Sequence, residues 1–342
     1  MTLSSACVPN QHLITLATKE NVDEIINFVN LHFDSKHSKI FQHRLVPEDV
    51  RILVTIGVCQ IWICRDFNKN AIIALLAISK QSHDLWFVSL GAFDDTFAGD
   101  NIHCKAVLCL FDKVAEIYDN SAGQIIFDDS AYQLYRRVSG FAHLHQNRFL
   151  TNASPLLCIS ELSYDIWQGK PDVSLIQLPK HYQRYHICHA QITRLDILRQ
   201  FDTQMTKLKR PSWLKKMRDH SNDWIPGSVA LLLTYQLCPD IIGYGFIRAG
   251  KDGIANLGPL YATTPIGARM LFRALIGSFR PARDIGVNVT VLSSNEHMRQ
   301  LCKEVGLSYQ NHGDYYSVRP HETTLLSDDV IYCLSNTGAY YL

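Results

Sequence analysis

The chain has 342 residues, of which 47% are apolar and 19% are charged, and this predicts two domains with well-formed cores. Its 33 basic and 32 acidic residues nearly cancel and its basic runs are short, so nucleic-acid binding is not expected. No apolar run approaches the ~20 residues that cross a bilayer, and the first residues lack the pattern of a signal peptide. We therefore expect a soluble, cytoplasmic protein that binds neither nucleic acid nor a membrane.

The cysteines and histidines give no sign of a metal or disulfide framework. The ten cysteines are scattered without a CxxC pair, as reduced and buried thiols are. The fifteen histidines show no HxxxH or HExxH spacing. We expect no metal cofactor.

The first half of the chain alternates predicted strands and helices. Apolar runs between polar turns predict strands, and apolar residues three and four apart predict helices. In chain order we predict strands at 14–18, 59–65, 71–79, 85–91, 124–127, 145–151 and 156–162, and helices at 22–33, 100–118 and 131–138.

A segment without periodicity then divides the chain. Residues 166–184 contain Gly169, Pro171 and Pro179, and we predict that they link a domain at 1–165 to a domain at 185–342. The order of elements recurs after it, with strands at 185–192, 228–236, 241–249, 254–260 and 287–292, and helices at 194–201, 212–219, 263–278 and 296–305.

Three landmarks in three different elements recur at nearly one offset, which indicates a duplicated module of about 165 residues. The offset is 167 residues from Gly91 to Gly258, 167 from Asp128 to Asn295 and 166 from Gly140 to Gly306.

The stretch from Ile254 to Ser278 is the first candidate site. It reads as a short strand, a turn, and a helix that opens at Thr263, Thr264 and Pro265, where a hydroxyl cap and a proline suit the first turn. The N–H groups and positive dipole of such a helix start can bind an anion such as a pyrophosphate. Strand–turn–helix units that bind no ligand have the same pattern, so other parts of the sequence are needed to judge whether this turn binds an anion.

The order of elements in each half resembles the GNAT (GCN5-related) N-acetyltransferase superfamily. The family pattern N-xx-A-xxx-Y-xxx-GF is matched in the first half by Asp128, Ala131, Tyr135 and Gly140-Phe141, with Asp for Asn and one extra residue before the glycine. In the second half the pattern is less complete: Asn295 and Gly306-Leu307 fit, whereas Met298 and Cys302 replace the Ala and the Tyr.

A second resemblance lies at the candidate strand. The segment Leu257-Gly258-Pro259-Leu260-Tyr261-Ala262 is similar to the IGPLYA segment of one GNAT subgroup. Together the resemblances imply an α/β (α+β) protein of two tandem GNAT-like domains, each a mixed, mostly antiparallel sheet flanked by helices. They also imply an acyl-CoA co-substrate, whose pantetheine arm pairs with a splayed strand while the next helix start binds the pyrophosphate. The cofactor-binding residues implied in the second domain are Leu257, Gly258, Leu260, Tyr261, Ala262, Thr263, Thr264, Gly267, Arg269 and Asn295.

The two halves differ in their phosphate-facing turns. Residues 93–100 of the first half carry three aspartates and no basic residue, which predicts weak CoA binding there. In the second half Arg269 is available to pair with a phosphate oxygen, or is simply a solvated helix residue. We therefore expect the second domain to hold the acyl-CoA.

Candidate catalytic residues come from the same resemblance. Tyr135 stands where the family's thiolate-protonating tyrosine does, although a core tyrosine would look the same. Asp202 is a candidate because the subgroup carries an Asp and an Arg in this region; the alternative is an ordinary surface pair with Arg210. Cys302 is expected to be a buried helix residue rather than a nucleophile.

The sequence thus predicts an acyl-CoA-dependent N-acyltransferase, most simply an acetyltransferase, that acts on a small amine by direct attack on the thioester. The alternative is a catalytically inactive tandem GNAT-fold protein that senses a ligand or binds a partner. The sequence gives no indication of the acceptor or the oligomeric state.

Overall fold

The computed structural model describes residues 12–33, 50–51, 54, 59–66, 68–80, 85–97, 101–120, 124–127, 129–141, 159–178, 180, 182–206, 209–211, 214–215, 218, 228–235, 240–250, 253–317 and 330–334. The chain divides into two compact units. The first unit comprises residues 1–161 and 314–321, and the second comprises residues 162–313 and 322–342.

The first unit is a mixed sheet with helices packed on it. Its elements are β1 (His12–Leu16), α1 (Val22–Phe33), β2 (Cys59–Asp66), β3 (Ile72–Lys80), β4 (Leu85–Phe93), α2 (Asn101–Asn120), β5 (Gln124–Phe127) and α3 (Asp129–Phe141). The strands lie in the order β1-β2-β3-β4-β5, antiparallel up to β4, with β5 parallel to β4.

The core of the first unit follows from its sequence. The apolar stripe of α2, which includes Val107, Phe111 and Val114, packs with Val88 of β4 and Ile125 of β5 in one buried cluster. Side chains three and four apart lie on one helix face, so this spacing buries a single face of α2 against the sheet.

The second unit repeats this plan. Its elements are β6 (Ile159–Gly169), β7 (Tyr185–His189), α4 (Leu195–Thr206), β8 (Val229–Tyr235), β9 (Ile241–Ala249), β10 (Ala255–Ala262), α5 (Pro265–Ser278), α6 (Arg280–Asp284), β11 (Val287–Leu292), α7 (Glu296–Glu304), β12 (Ser308–Ser317) and β13 (Ile331–Cys333). The strand order is β6-β11-β10-β9-β8-β7, in which only β10 and β11 are parallel, and β13 pairs with β10.

The predicted fold class and duplication are confirmed. In each unit three antiparallel strands lead through a helix to a parallel strand and a second helix. That second helix begins at Asp129 in the first unit and at Glu296 in the second, at the predicted offset. Local signals placed several elements correctly: α1, β5, β9 and β11 have the predicted bounds, and α5 begins immediately after Thr264.

The predicted domain boundaries differ from the structure. Strand β6 runs to Gly169 and pairs with β11 of the second unit, so residues 166–169 are strand and not linker. Conversely, Tyr316 and Ser317 at the end of β12 pair with β5 of the first unit. Each unit therefore contains a strand from the other half of the sequence, and division into 1–165 and 185–342 would remove both strands from their sheets. The predicted strand at 145–151 lies outside the described residues, as does most of the predicted helix at 212–219.

Candidate functional site

Both central strands carry a two-residue bulge at equivalent positions. In β4, Leu90 and Gly91 lie between the residues that pair with Ala77 and Leu75 of β3, and Leu90 has a positive φ of 54°. In β10, Gly258 and Pro259 occupy the same position opposite β9. A bulge bends its strand and redirects the backbone groups beside it, and bulges are common at functional sites.

In the first unit β4 continues past the end of β5, and we call the position beside β4 from Ser89 to Phe93 the fork. The two strands pair from Leu85 to Val88, whereas β4 continues to Phe93. Ser89, which is 1% exposed, lies at the start of the fork, and its hydroxyl has no hydrogen-bond partner among the described residues. A buried polar group without a partner is costly, so it marks a position where a ligand group can bind.

Tyr135 lies on the helix that packs against this strand. Helix α3 contacts β4 and α2, and the Tyr135 ring meets the Phe111 ring edge-on with centroids 5.2 Å apart. Tyr135 shares a buried cluster with Val88 and Phe93, which flank the fork on β4. Its position fits the acid role that the sequence predicts, and that role stays a prediction.

The turn after β4 is acidic, but Asp94 has internal partners. Its Oδ1 accepts hydrogen bonds from the Thr96 backbone N–H at 3.0 Å and from the Thr96 hydroxyl at 2.8 Å. The His32 imidazole lies 4.0 Å away. Burial lowers the pKa of His32, and the charges of Asp94 and Asp95 oppose that shift.

In the second unit the corresponding fork is filled by β13. Strand β10 pairs with β11 only from Ala255 to Leu257. Farther along, Leu260 pairs with Cys333 and Tyr261 with Ile331. The Ala262 N–H donates to the Val330 carbonyl at 3.1 Å, and the Leu334 N–H donates to the Thr290 carbonyl of β11 at 2.9 Å. The residues from Ile331 to Leu334 are at most 1% exposed.

The expectation that β10 offers an unpaired edge to a pantetheine arm is therefore wrong for Leu260, Tyr261 and Ala262. Their strand pairs with β9 on one side and with β13 on the other. Leu257 is also buried and pairs with both neighbouring strands. Gly258, with φ of 147°, allows the bulge backbone to turn.

Asn295 holds the inserted strand rather than facing an open cleft. Its side-chain oxygen caps α7 by accepting from the Met298 N–H at 2.9 Å, and its amide donates to the Ile331 carbonyl at 2.9 Å. Only 4% of the residue is exposed. Both hydrogen-bonding groups of the amide thus have structural partners.

The α5 turn keeps part of its predicted geometry. Thr263 and Thr264 are exposed, and the Thr264 hydroxyl oxygen accepts from the Gly267 N–H at 3.1 Å as an N-cap. A Cβ on Gly267 would lie 3.1 Å from Leu233, so close packing explains this glycine. Arg269 forms an ion pair with Glu304, which means that it is neither an unoccupied phosphate ligand nor a simply solvated residue.

Asp202 and Arg210 form a buried pair, which corrects the alternative of a surface pair. The guanidinium donates to both carboxylate oxygens, from Nε at 3.0 Å and from Nη2 at 2.6 Å. Nη2 also lies 3.1 Å from the hydroxyls of Tyr244 and Tyr261, and the Tyr244 hydroxyl donates to Asp202. Asp202 is fully buried within these contacts, so it does not present a base to an amine.

The same network sets the protonation states of its members. Burial raises the pKa of Tyr261 to about 12, although Arg210 opposes the shift, and burial with the Asp202 charge raises the pKa of Tyr244 well above its usual value. Burial alone would lower the pKa of Arg210, but the Asp202 carboxylate outweighs it and keeps that pKa above its usual value. Both phenols are therefore neutral at neutral pH, and Arg210 keeps its charge.

A second polar cluster surrounds Asp165, and no sequence pattern predicts it. This carboxylate accepts from the Ser293 hydroxyl at 3.0 Å and lies 3.0 Å from both the Arg299 guanidinium and the His312 Nδ1. The residues come from β6, the turn after β11, α7 and β12, and no local spacing connects them. The Ser293 oxygen and His312 meet the same carboxylate oxygen, which is not the relay order of a Ser-His-Asp triad.

The predicted burial of Cys302 is confirmed. Burial raises the pKa of its thiol far above neutrality. Among the described residues no three His, Cys, Asp or Glu side chains form a group that could hold a metal ion. No helix in the described part of the chain is both long and apolar enough to cross a membrane.

Comparison with known proteins identifies the class. Residues 215–316 match the Acetyltransferase (GNAT) domain family. No curated protein matched the sequence. The chain is a tandem GNAT-fold protein, and its second half contains the matched GNAT domain.

Solved structures resemble nearly the whole chain. One such structure is of a protein from Pyrococcus horikoshii that is described as an acetyltransferase. It is 13% identical to this chain with a TM-score of 0.65, and the match covers 98% of each chain. A tandem GNAT protein from the clavulanic acid biosynthesis pathway is 10% identical with a TM-score of 0.61, over 91% of this chain and all of the other. A GCN5-related N-acetyltransferase from Sphaerobacter thermophilus is 11% identical with a TM-score of 0.58, over 94% and 100%. At these identities the likeness shows the fold.

Proposed function

We propose that this protein is an acyl-CoA-dependent N-acyltransferase, most simply an N-acetyltransferase, that acts on the amine of a small molecule. The GNAT domain match and the tandem GNAT fold support acyl transfer in general. The amine nitrogen attacks the thioester carbonyl, the new C–N bond forms, and the C–S bond breaks. The amine loses a proton and the departing thiolate gains one.

We place the acyl-CoA in the fork between β4 and β5 of the first unit, and one observation carries this choice. Among the described residues β4 has no strand paired on the β5 side beyond Val88, whereas the equivalent part of β10 is paired with β13. An acyl-CoA arm that binds as an extra strand needs backbone groups that are not already paired with the protein. The sequence-based prediction favours the second unit instead, because its phosphate-facing turn is less acidic.

Two energies decide between the units: the cost of displacing β13 from the second unit, and the charge repulsion at the acidic turn of the first unit. The first is the larger, so strand pairing is the better criterion for the acyl-CoA site. Displacing β13 would expose four buried residues, and each buried apolar side chain contributes about 1.5–3 kcal/mol. The aspartates at the turn of the first unit cost much less, because two charges 4 Å apart in water interact by about 1 kcal/mol. The acidic turn weakens CoA binding, but a filled fork prevents it.

Tyr135 is the proposed acid at this site. It lies on α3 against the forked strand, and a tyrosine hydroxyl there protonates the departing CoA thiolate. The Ser89 hydroxyl, buried at the fork, is a proposed hydrogen-bond donor to the acyl-CoA. The filled fork of the second unit favours a non-catalytic role for that unit, so the inactive alternative applies to one unit only.

A reciprocal pair of substitutions tests which unit binds acetyl-CoA. Asp95→Asn removes a negative charge from the turn of the first unit, and Thr264→Asp adds one at the α5 start while keeping a residue able to cap the helix. Calorimetric titration of the full chain is expected to show one acetyl-CoA per chain. We expect Asp95→Asn to tighten binding about two- to fivefold and Thr264→Asp to leave it unchanged, because about 0.5–1 kcal/mol of repulsion is at stake.

The opposite pattern would assign acetyl-CoA to the second unit, and no binding to the full chain would exclude the enzyme.

Fragments are unsuitable, because each unit takes a strand from the other half of the sequence. Turnover is measured with a panel of amines by chromatographic detection of free CoA, since thiol reagents would also react with cysteines of the protein. Acetyl-CoA binding without turnover on any amine would favour the non-catalytic alternative.

A further inference from the structure

The second unit contains a cavity that the proposed acyl transfer does not use. It has a volume of about 660 Å³ and opens beside α4, within the 300–1,000 Å³ range typical of small-molecule sites. Its polar lining comes from α4 and from the segment that follows α4. These residues are Arg199, Gln200, Thr203, Gln204, Lys209 and Arg210.

The charge of the lining is positive. Within the described part of the chain, Arg199 and Lys209 have no ion-pair partner, and none of the described lining residues is acidic. Arg210 differs, because the buried Asp202 carboxylate balances its charge. In the sequence, residues 207–218 include six basic and no acidic residues.

The wall of the cavity also has an apolar part, and one of its arginines is anchored by a buried ion pair. Pro211 and Leu214 line the cavity, and carbon forms most of its accessible wall. The bidentate pair between Arg210 and Asp202 ties the segment after α4 to the buried tyrosines of β9 and β10. Lys209 is next in sequence to Arg210, so it lines the cavity beside a residue that this network anchors.

We infer that this cavity binds a small organic anion whose apolar body carries a carboxylate or phosphate group. The apolar wall takes the body, Arg199 and Lys209 pair with the anionic group, and the amides of Gln200 and Gln204 supply hydrogen bonds. The volume suits a ligand of small-molecule size rather than a polymer. The site is independent of acetyl-CoA, whose proposed fork lies in the first unit.

Matched probes separate charge from shape. Phenylacetate and phenyl phosphate carry the two candidate anionic groups, and phenylacetamide keeps the shape of phenylacetate without its charge. We expect ligand-observed NMR with the full chain to show saturable binding of at least one anion, at least about tenfold tighter than the amide, which corresponds to about 1.4 kcal/mol. The preferred anion identifies the natural group as a carboxylate or a phosphate. No saturable binding of either anion, or equal binding of the amide, would overturn the inference.

Charge reversals locate the binding. Arg199→Glu and Lys209→Glu are each expected to weaken the better anion at least about tenfold, whereas Arg273→Glu, an equal change at an exposed residue of α5 outside the lining, is expected to leave it within twofold. Far-ultraviolet circular dichroism and thermal unfolding show whether each variant is folded. Equal loss in all three variants, or none in the two lining variants, would contradict the site.

Two further measurements keep the result distinct from other functions. Acetyl-CoA affinity is expected to stay unchanged in Arg199→Glu and Lys209→Glu, so failure of the anion site and failure of the acyltransferase proposal can be told apart. A single-stranded oligonucleotide is titrated as a competitor. If it binds more tightly than both anions and loses affinity in the same variants, the basic segment is a polynucleotide surface and the small-anion inference is wrong.

Discussion

The two units share a bulged central strand and differ in what lies beside it. In the first unit β4 continues past the end of β5 after Val88, and the buried Ser89 hydroxyl lies at that point. In the second unit β13 takes that position and closes the fork with buried side chains. A duplicated fold therefore does not imply two equivalent strand edges, because a few residues from a distant part of the chain can pair with one of them.

The largest expected effect concerns the buried ion pair of the second unit. Asp202→Ala leaves the Arg210 charge buried and unpaired, and we expect it to lower the free energy of unfolding by about 3–5 kcal/mol. Urea unfolding of the full chain measures the change. Asp196→Ala on the same helix, which removes an exposed pair with Arg194, is the control and should cost at most about 1 kcal/mol.

The ion pair itself can be removed with less damage than one of its members. The double variant Asp202→Leu/Arg210→Met replaces both charges with apolar groups and is expected to be more stable than Asp202→Ala, because no buried charge remains. A double variant less stable than Asp202→Ala would show that the ion pair stabilises the folded protein by more than the removal of the unpaired buried charge recovers. A loss below about 1 kcal/mol in Asp202→Ala would mean that Arg210 finds another partner.

Tyr135 tests whether the first unit is the catalytic one. Tyr135→Phe keeps the ring that packs on Phe111 and removes the hydroxyl, so we expect kcat to fall by about 100-fold while the affinity for acetyl-CoA is unchanged. The control is Tyr132→Phe, a half-buried tyrosine one turn earlier on α3. If both variants turn over at the wild-type rate, Tyr135 is a packing residue.

Asn295 tests the closed fork of the second unit. Asn295→Ala removes the cap of α7 and the hydrogen bond to β13, and we expect a loss of about 2 kcal/mol in unfolding free energy. Asn288→Ala, which removes one long hydrogen bond of 3.4 Å on β11, is the control. Hydrogen exchange at Ile331–Leu334 is expected to quicken only in Asn295→Ala, and unchanged exchange would mean that the amide does not hold the strand.

These residues also show what the sequence could and could not predict. Thr264 and Pro265 mark the start of α5 through local capping chemistry, so that helix end was correctly predicted. The partner of a strand is not a local property: nothing within β6 or β13 indicates which strand it joins. The strand at residues 166–169 and the pairing of β10 with β13 therefore lie beyond local sequence signals for the same reason.

The buried charges were hidden for a related reason. Charged residues on a helix are usually exposed, so the full burial of Asp202 could not be predicted from its sequence position. Its partners come from separate elements, with Tyr244 on β9 and Tyr261 on β10. Only the folded sheet brings them together.

The smallest expected effect is a pH dependence of the first unit at His32. Burial lowers the pKa of His32 in the folded protein below its ordinary value of 6.5. The unfolded chain then binds more protons than the folded one at pH values just below 6.5, so stability rises with pH through that range and is lost on acidification. We expect the unfolding free energy to fall less between pH 7 and pH 5.5 in His32→Gln than in the wild type, by urea unfolding at each pH.

The charges of Asp94 and Asp95 partly oppose the shift of the His32 pKa. Asp95→Asn should therefore steepen the fall in unfolding free energy when His32 is present and leave it unchanged when His32 is replaced by Gln. Equal pH dependence in wild type and His32→Gln would assign the acid sensitivity to other groups.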